Sequence, residues 1–561
     1  MDYEKISSTY NLLENTSKGL EKTEILANFL KEIKETPKFI YLFKGKVFPD
    51  YDSRELGISH QLVIRAIGKS IGEKDSVVLE EFKKFGEIGK AAESLAKRKK
   101  QSSLFSSKLT VEKVFNNLKK ITTYAGKGTV DRKIGLIIEL LNSASPTETK
   151  FIVRTVLSDL KIGVGDGLLR DSIANYCFSP SNLEEKKKYS ELIQEAYNKS
   201  TDFAEVFEKA QTNSLELIKL SPGKPLKVML FPKAKNIEDA FRIVGKPAAF
   251  EYKYDGFRVM INKEKNGKIK IFTRRLEEVT KQFPEIIEYV LKNVSGESFI
   301  LDGEAVGFNS KTKQYTDFQA ISQRIRRKYD IDKMAKKLPI ELVLFDIIYY
   351  EGKSLIKEKF VNRAKLLKKI TTEEAYKIIL AKQLISEKVE EIEKFYQSAL
   401  EDNQEGLMAK SLSAPYKPGA RVGYGVKLKP VDKDFDLVIT GAEWGTGKRG
   451  KWLTSFNVSC KDESGELFEI GKVSTGLKEK AEEGLSYGEI TEMLEKLTIK
   501  ETGREVKVEP KIIVTVQYQN IQRSQTYSSG FGLRFPRILR LRPDRGVEDI
   551  TSLEEIEREI N

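Results

Sequence analysis

The sequence contains very little histidine and cysteine. One histidine, His60, and two cysteines, Cys177 and Cys460, occur in 561 residues. A single histidine excludes histidine-rich metal sites and most acid–base schemes that use imidazole. Two cysteines far apart exclude a disulfide framework and a multi-cysteine zinc site, and they suit a reducing cell interior. The N-terminus lacks a signal segment and no apolar run reaches membrane-spanning length, so we expect a soluble, cytoplasmic protein.

Positive charge is in excess. The chain has 97 lysines and arginines against 83 aspartates and glutamates, which gives a formal net charge of +14 and an isoelectric point of about 9.2. This excess indicates a polyanionic partner such as nucleic acid. The alternative is a lysine-rich surface with no binding role, as in some thermophilic proteins. The length predicts three or four domains of ordinary size.

The residue pattern divides the chain into three regions. Residues 1–218 have apolar positions at helical spacing, and we predict helices over 12–33, 59–67, 134–141 and 151–160. Residues 219–430, which include the proline- and glycine-rich linker 221–225, alternate between β-rich and helical segments. Residues 431–561 contain short β-rich runs, glycine turns and one helix-like segment near 478–496. We therefore predict an all-α domain, an α/β domain and a small Greek-key barrel of the OB type.

The stretch 251–258 organises the middle region. Alternation over 249–254 predicts a strand that ends at the turn dipeptide Asp255-Gly256, and Asn266-Gly267 predicts a hairpin just after it. We expect a small twisted sheet with Lys253 at its tight end. Nearby cations disfavour an ammonium and favour the amine form that a lysine nucleophile needs. A lone strand lysine is more often only solvated, so the interpretation depends on the rest of the chain.

The rest of the chain carries a family resemblance. Lys-Tyr-Asp-Gly at 253–256 resembles the nucleophile motif of covalent nucleotidyltransferases, the group of DNA ligases, RNA ligases and mRNA capping enzymes. The other motifs of that group follow in order: Thr-Arg-Arg at 273–275, Phe-Ile-Leu-Asp-Gly-Glu at 299–304, Leu-Phe-Asp-Ile-Ile-Tyr at 344–349, Glu-Gly-Leu-Met-Ala-Lys at 405–410, Lys-Leu-Lys at 427–429 and a basic motif at 534–545. The chain is most similar to archaeal, replicative-type ATP-dependent DNA ligases. The resemblance implies a helical DNA-binding domain (1–218), an ATP-grasp-like adenylation domain (219–430) and an OB-fold domain (431–561).

The resemblance also implies a mechanism and residue roles. Lys253 would attack the α-phosphate of ATP and retain AMP, which then passes to the 5′-phosphate of a nick before the 3′-hydroxyl seals the DNA. Glu304 and Glu405 are candidate ligands for Mg²⁺ or Mn²⁺. The nucleotide contacts would come from Glu251 at the adenine, Phe345 stacked on the base, Glu304 at the ribose, Lys427 and Lys429 at the α-phosphate, and Arg258, Arg274 and Arg421.

The basic motif near the C-terminus would act as a lid. The resemblance implies that it closes over ATP in the first step and swings away when DNA is bound. The residues assigned to it are Arg534, Arg537, Arg542, Asp544 and Arg545.

Two positions depart from the family pattern. Gly425, beside Tyr424, stands where an aromatic residue commonly precedes Lys427 by two positions, and Arg545 stands where a lysine is common.

Two further features lie in the helical region. A turn with glycines at 163, 165 and 167 leads into a helix and exposes backbone N–H groups that can hold a phosphate, although such a turn is more often only a turn. Gln101, Leu104 and Phe105 lie in a polar loop and resemble the short motif by which archaeal ligases bind the sliding clamp, PCNA. The alternative is that Leu104 and Phe105 pack onto the core of their own domain.

Three functions compete. The first is a monomeric DNA ligase acting on nicked double-stranded DNA in replication, repair and recombination. The second is an RNA ligase or a capping guanylyltransferase, neither of which characteristically has a long helical N-terminal domain. An NAD-dependent ligase is disfavoured because two cysteines cannot form its usual zinc site. The third is a nucleic-acid-binding protein with an inactive core, which predicts damaged motifs, whereas Lys253, Glu304, Glu405, Lys427 and Lys429 are all present.

Overall fold

The chain divides into two compact units. The computed structural model describes residues 1–98, 108–124, 128–316, 318–325, 327, 329–430 and 433–560, without the side chains of Gln319, Lys448 and Glu483. The first unit is Met1–Lys429 and the second is Pro430–Asn561. Among these described residues, no helix combines the length and the apolar character that crossing a membrane requires.

The first part of the first unit is helical. Its α-helices among the described residues are α1 Tyr3–Asn15, α2 Gly19–Leu30, α3 His60–Ile71, α4 Asp75–Phe85, α5 Ile88–Lys97, α6 Val111–Ile121, α7 Thr129–Ser143, α8 Pro146–Val156, α9 Asp166–Phe178, α10 Leu183–Ser200 and α11 Phe203–Gln211. The predicted start of α3 is confirmed, because the Ser59 side chain accepts from the backbone N–H of Leu62. The single helix predicted over 12–33 is wrong. Thr16 accepts from the N–H of Lys18 and donates to Glu21, and these local bonds replace helical ones between α1 and α2.

The glycine turn before α9 is held by a buried lysine. Lys22 Nζ donates to the carbonyl of Ile162 at 2.5 Å. Gly163 has φ +68°, and a Cβ at this position would lie 2.7 Å from Lys22 Nζ. Position 163 therefore requires glycine. The helix predicted after the turn is confirmed, although α9 begins at Asp166, two residues before the predicted start at Leu168. Phosphate binding at this turn stays a prediction.

The rest of the first unit contains one antiparallel sheet and one mixed sheet with helices packed around them. Its elements are α12 Ile237–Val244, β1 Ala248–Tyr252, β2 Phe257–Lys263, β3 Ile269–Thr273, α13 Pro284–Asn293, β4 Phe299–Gly307, α14 Phe318–Ile325, α15 Ile331–Lys337, β5 Ile340–Tyr350, β6 Lys353–Ser354, α16 Phe360–Ile370, β7 Ile378–Leu380, β8 Gln383–Ser386, α17 Val389–Glu401, β9 Leu407–Ser411 and β10 Gly425–Leu428. The first sheet has the strand order β10-β9-β1-β8. The second has the order β3-β2-β4-β5-β6, with β7 added parallel to β5.

The chain crosses from one sheet to the other at the candidate nucleophile. The hairpin predicted at Asn266-Gly267 is confirmed, because β2 and β3 pair antiparallel across it. The expectation that β1 joins them in one small sheet is wrong. β1 pairs with β8 and β9, whereas β2 pairs with β3 and β4. Gly256 permits the crossing, since a Cβ there would lie 2.3 Å from the carbonyl oxygen of Ala305.

The predicted linker 221–225 is packed rather than free. Gly223 N–H donates to Asn262 Oδ1 at 3.3 Å, and Lys270 Nζ donates to the Gly223 carbonyl at 3.1 Å. Thr201 Oγ1 donates to the carbonyl of Pro225 at 2.9 Å. These bonds attach the segment both to the β2–β3 hairpin and to the helical part. The domain boundary at residue 218 stays a prediction.

The second unit is rich in strands. Its elements are β11 Lys433–Trp444, β12 Leu453–Lys461, β13 Leu467–Val473, α18 Tyr487–Glu495, β14 Thr498–Thr502, β15 Glu505–Val508, β16 Ile513–Tyr518, β17 Asn520–Arg523, β18 Phe531–Arg534, β19 Arg537–Leu541 and α19 Leu553–Ile560. The sheet runs β13-β12-β11-β15-β14, and β16 pairs with both β11 and β19. The predicted strands and the helix near 478–496 are confirmed, although that helix begins only at Tyr487. Over residues 433–560 the pairing leaves the sheet open, so a closed OB-type barrel stays a prediction.

Seven 3₁₀ segments complete the helical structure over the described residues. They lie at Lys31–Ile33, Pro37–Lys44, Leu215–Leu217, Thr280–Gln282, Gly447–Arg449, Ala481–Glu483 and Val547–Asp549.

Candidate active site

Alternate residues of three neighbouring strands share one face of the first sheet. Glu251 in β1 lies opposite Met408 in β9, which in turn lies opposite Lys427 in β10. Lys253 and Lys429 follow two residues after Glu251 and Lys427. Because side chains alternate along a strand, these five side chains project from the same face. The pairing therefore collects residues from three separate motifs of the sequence on one surface.

A carboxylate bridges two of the lysines. Lys253 Nζ lies 2.5 Å from Glu405 Oε2, and Lys429 Nζ contacts the same oxygen. The backbone fixes this contact, because Glu405 N–H donates to the carbonyl of Lys253 at 2.9 Å and Lys253 N–H donates to the carbonyl of Gly406 at 2.8 Å. Burial would raise the pKa of Glu405, but Lys253 and Lys429 hold it at about 2. Glu405 is therefore an anion at ordinary pH.

Positive charge is concentrated around this carboxylate. Burial lowers the pKa of Lys427 to about 8, and the charges of Lys253, Arg274 and Lys429 act in the same direction. Burial and Lys253 also lower the pKa of Lys429, although Glu405 opposes them. The lowered pKa of these lysines shows that the cluster has too little negative charge to balance their positive charge. Such a site stabilises an anion with several oxygens, such as a phosphate chain.

Glu304 faces the cluster from the second sheet. It lies in β4, directly opposite Arg258 in β2. Burial raises the pKa of Glu304 to about 8, and Lys253 and Arg258 only partly offset this, while Glu405 and Asp302 add to it. Burial thus outweighs the two nearby positive charges at this carboxyl, and a bound cation would favour its ionised form. In the described part of the chain no group of three His, Cys, Asp or Glu side chains is placed to hold a metal ion.

Arg258 is held in place by a buried network. Its guanidinium donates from Nε to Asp302 Oδ1 at 2.8 Å and from Nη1 to the carbonyl of Met229 at 2.9 Å. Tyr416 donates to the other oxygen of Asp302 at 2.9 Å. Burial would lower the pKa of Arg258, but Asp302 raises it above its ordinary value. The guanidinium lies 5.3 Å from the Phe345 ring centroid, so this network also positions the predicted stacking residue.

A second ion pair lies at the predicted adenine end. Lys410 Nζ lies 2.5 Å from Glu251 Oε2, and Gln383 donates to Glu251 Oε1 at 2.8 Å. Lys410 also lies 4.9 Å from the Phe345 ring centroid. Burial raises the pKa of Glu251, and Lys410 opposes this. Both carboxylate oxygens already accept one bond, and each retains capacity for another.

Sequence reasoning missed several residues that hold the site. Lys410 and Asp302 lie inside recognised motifs, so the motifs carried a signal for them. Tyr416 and Met229 lie outside the motifs, and nothing in the sequence pattern pointed to them.

The structure places the two remaining predicted arginines differently. Arg274 is exposed at the end of β3, and its charge contributes to the lowered pKa of Lys427, so it acts on the cluster. Arg421 is also exposed, and its backbone bridges Leu230. The described contacts do not bring the Arg421 side chain to the cluster.

In the second unit, a buried aspartate holds part of the closing motif. Arg542 contacts Asp436 and pairs with Asp544 at 2.7 Å, and Arg545 Nη1 lies 2.8 Å from Asp436 Oδ2. Thr515 donates to Asp436 Oδ1 at 2.6 Å. Asp436 was not among the predicted site residues, because it lies about a hundred positions before the motif.

The other motif arginines are nearer the surface, and the predicted clamp loop is not described. Arg537 is exposed, and the Arg534 guanidinium lies 5.3 Å from the Phe535 ring centroid. Gln101, Leu104 and Phe105 lie outside the described residues.

Three family models match the chain in order. The model described as DNA ligase N terminus matches residues 2–174, ATP dependent DNA ligase domain matches 228–429, and ATP dependent DNA ligase C terminal region matches 449–545. The middle match contains the whole lysine–glutamate cluster. The last match contains the closing motif.

Known proteins match over nearly their full length. A DNA ligase of Nanoarchaeum equitans is 44% identical over 565 residues, which covers 100% of this chain and 98% of that protein. A DNA ligase of Thermococcus fumicolans is 40% identical over 564 residues, covering 99% and 98%. A solved structure named Pmar-Lig_Pre has a TM-score of 0.55 at 16% identity, covers 96% of this chain and 99% of its own, and shows the fold alone. On these matches the chain belongs to the family of ATP-dependent DNA ligases.

Proposed function

We propose that Lys253 is the nucleophile through which this ligase passes adenylate from ATP to a nick. Membership in the family makes the chain an enzyme that joins nicks in DNA through an adenylate intermediate, with ATP as the adenylate donor. The observation that supports Lys253 is its position: its Nζ shares one carboxylate with Lys429, on the sheet face that also carries Lys427.

In this proposal each group has a task. In the first step Lys253 loses its ammonium proton to solvent, and the neutral, correctly aimed amine forms a bond to the α-phosphorus while the bond to pyrophosphate breaks. A second proton leaves the nitrogen for solvent, which gives the neutral phosphoramidate nitrogen. The Glu405 carboxylate aims it. Lys427 and Lys429 stabilise the charge on the α-phosphate oxygens. Glu304 and Glu405 would hold Mg²⁺, whose contribution when bound is to neutralise charge on the phosphates.

A label-transfer experiment tests this assignment. The protein is incubated with ATP labelled in the α-phosphate, with Mg²⁺, and protein-bound label is measured after denaturation. We expect label on the wild-type protein and none on Lys253→Ala. Lys263→Ala is the matched control, because Lys263 lies in β2 and donates to the carbonyl of Gly296 away from the site. Label on Lys253→Ala would refute the assignment of the nucleophile.

A chase with nucleic acid tests the acceptor. Labelled protein is freed of nucleotide and offered duplex DNA or duplex RNA with one 5′-phosphorylated nick. We expect nicked DNA to discharge the label and to be sealed. Discharge by RNA alone would keep the lysine chemistry and overturn the substrate.

We propose that the second unit completes an OB-type domain whose arginines orient pyrophosphate during the first step. The contacts of Arg542 and Arg545 with Asp436 support this, because they hold two cations of the motif side by side. Arg542→Ala should slow formation of the adenylate but leave pre-adenylated protein able to seal. Arg504→Ala is the control, since Arg504 donates only to the carbonyl of Trp444 in the described contacts. Equal slowing of both steps would contradict this role.

We propose that the turn 163–167 contacts the DNA backbone in the helical part. A Cβ on Gly165 or Gly167 would meet no atom within 4 Å, so alanine fits the fold but obstructs a phosphate. The double alanine variant should bind nicked DNA more weakly while adenylate formation stays unchanged. Gly19→Ala, where the space is equally open, is the control. Unchanged DNA affinity would remove this role.

We also propose that Gln101, Leu104 and Phe105 contact the sliding clamp. Leu104→Ala with Phe105→Ala should leave sealing by the ligase alone unchanged and abolish its stimulation by the clamp. Leu183→Ala is the control, because Leu183 is an exposed leucine of α10. Stimulation that persists would favour packing of this pair on its own domain.

Replication and repair, with the protein acting as a monomer on nicked duplex DNA, remain the proposed setting.

A further inference from the structure

Gly425 is required by an aromatic ring rather than by its backbone conformation. A Cβ built on Gly425 would lie 2.6, 2.7 and 2.8 Å from three carbons of the Phe231 ring. Real side chains do not approach this closely, so any residue larger than glycine would displace the ring. Gly425 occupies the same strand face as Lys427, because it lies two residues earlier in β10. The Phe231 ring therefore covers the sheet on the face that carries the active-site lysines.

The backbone fixes Phe231 beside Lys427. Lys427 N–H donates to the carbonyl of Pro232 at 2.8 Å, and Ala234 N–H donates to the carbonyl of Lys427 at 2.9 Å. Phe231 is 9% exposed and belongs to the apolar cluster against which Met408 packs. Met408 in turn stands between Glu251 and Lys427 on the site face. Glu251, Met408 and Lys427 form a row across the three strands, and this row holds the nucleotide in the proposed function. Phe231 thus supports one side of that row.

We propose that Phe231, seated over Gly425, is a positioning residue of the adenylation site: its ring supplies, from outside the sheet, the aromatic surface that the family pattern places at position 425 itself. The inference rests on the proposed function of the lysine cluster. The ring supports Met408 and keeps water from the base of the Lys427 side chain. It need not touch the nucleotide to do either.

Charge at Lys427 gives this proposal a specific readout. Burial is the largest cause of the lowered pKa of Lys427. Removing the ring admits water at that side chain, so the pKa of Lys427 should rise towards its ordinary value. A residue that served only the stability of the fold would leave this pKa unchanged in a variant that remains folded.

The experiment uses the full chain and an exchange of the two side chains. Four variants are compared: Phe231→Ala, Phe231→Leu, Gly425→Phe, and the exchange Phe231→Ala with Gly425→Phe. Equilibrium binding is measured between pH 6.5 and 9.5 with an ATP analogue that has a methylene group between the α and β phosphates. Circular dichroism and thermal unfolding establish which variants are folded. If Phe231→Ala does not fold, Phe231→Leu carries the same comparison.

We expect Phe231→Ala to bind the analogue about tenfold more weakly and to lose affinity at a higher pH than the wild-type protein. Gly425→Phe alone should be worse, because two rings would compete for one space. The exchange should recover most of the affinity and the original pH midpoint. Wild-type affinity and midpoint in folded Phe231→Ala would overturn the proposal. A folded exchange variant that binds no better than Phe231→Ala would overturn it too.

The outcome is separable from that of the proposed function. Adenylate formation by the wild-type protein, and its loss in Lys253→Ala, test the function without reference to Phe231. If those results hold and Phe231→Ala binds normally, only the inference about Phe231 fails. If the wild-type protein forms no adenylate, the proposed function fails regardless of the binding data.

Discussion

The charge on Lys427 should make ATP binding sensitive to pH in the alkaline range. Burial, together with the charges of Lys253, Arg274 and Lys429, lowers the pKa of Lys427 from 10.5 to about 8. The side chain is therefore mostly charged at neutral pH and mostly neutral one pH unit above its pKa. If its charge stabilises the α-phosphate, affinity for ATP falls as the pH rises through 8.

The size of the effect follows from the fraction of Lys427 that is charged. With a pKa of about 8, that fraction is about nine-tenths at pH 7 and about one-tenth at pH 9. If only the charged form binds, affinity drops about tenfold over this interval, equivalent to about 1.4 kcal/mol. Lys427→Arg keeps its charge throughout, so the part of the loss that depends on residue 427 should be absent from this variant. Lys427→Met should bind weakly at both ends.

Isothermal titration calorimetry with the methylene analogue of ATP measures this affinity without adenylate formation. Glu304 must be controlled, because its pKa is raised to about 8 by burial and its ionisation would weaken binding over the same range. Glu304→Gln, titrated in parallel, separates the two groups. Lys263→Arg controls for substitution of a lysine outside the site.

Two results would refute this reasoning. The pH dependence of Lys427→Arg should differ from that of the wild-type protein only if Lys427 titrates. An equally steep loss of affinity in that variant would therefore assign the titration to another group. Equal affinity of Lys427→Met and the wild-type protein at pH 7 would show that the charge contributes nothing to binding.

Three further predictions concern stability. Glu405→Gln leaves two lysines without their shared anion and should lower the free energy of unfolding by about 1–3 kcal/mol. Since the folded pKa of Glu405, about 2, lies below the ordinary 4.5, this loss should be constant between pH 5 and 7, and a loss that vanishes at pH 6 would contradict it. Asp302→Asn should lower the free energy of unfolding, measured by denaturant titration, by about 3 kcal/mol, because Arg258 remains buried without its anion. Tyr416→Phe should lower it by only about 1 kcal/mol. The reverse order would contradict the proposed network. Gly476→Ala should destabilise the second unit by more than about 2 kcal/mol, as severe overpacking does. The reason is that a Cβ there would lie 2.0 Å from the carbonyl oxygen of Ile538. Unchanged thermal unfolding would refute this.

Local pattern was sufficient to predict many elements. The Ser59 cap and the Asn266-Gly267 hairpin depend on residues within a few positions of one another, and both are present. The two-residue spacings of Glu251 to Lys253 and of Lys427 to Lys429 also fixed which side chains share a strand face. Motif order then suggested that these strands lie together, which their pairing through β9 agrees with.

Such reasoning could not predict which distant segments of the chain pair with one another. Alternation predicted strands β1 and β2 but carried no information about their partners, and the prediction of one shared sheet was wrong. The same limit applies to Asp436, which meets Arg542 from more than a hundred residues away. Gly425 was noticed as a departure from the family pattern, but the ring that requires it lies in another segment of the chain.

The crossing between the two sheets has a consequence for folding kinetics. Lys253 is placed by pairing of β1 with β9, about 155 positions later, and its neighbour β2 pairs into the other sheet. Contacts between segments this far apart in sequence form slowly compared with helices and hairpins. A refolding chain should therefore regain its helical circular dichroism before it can accept adenylate. The rate at which label appears on the protein would then measure the rate of the last folding steps of this unit, without any attached probe.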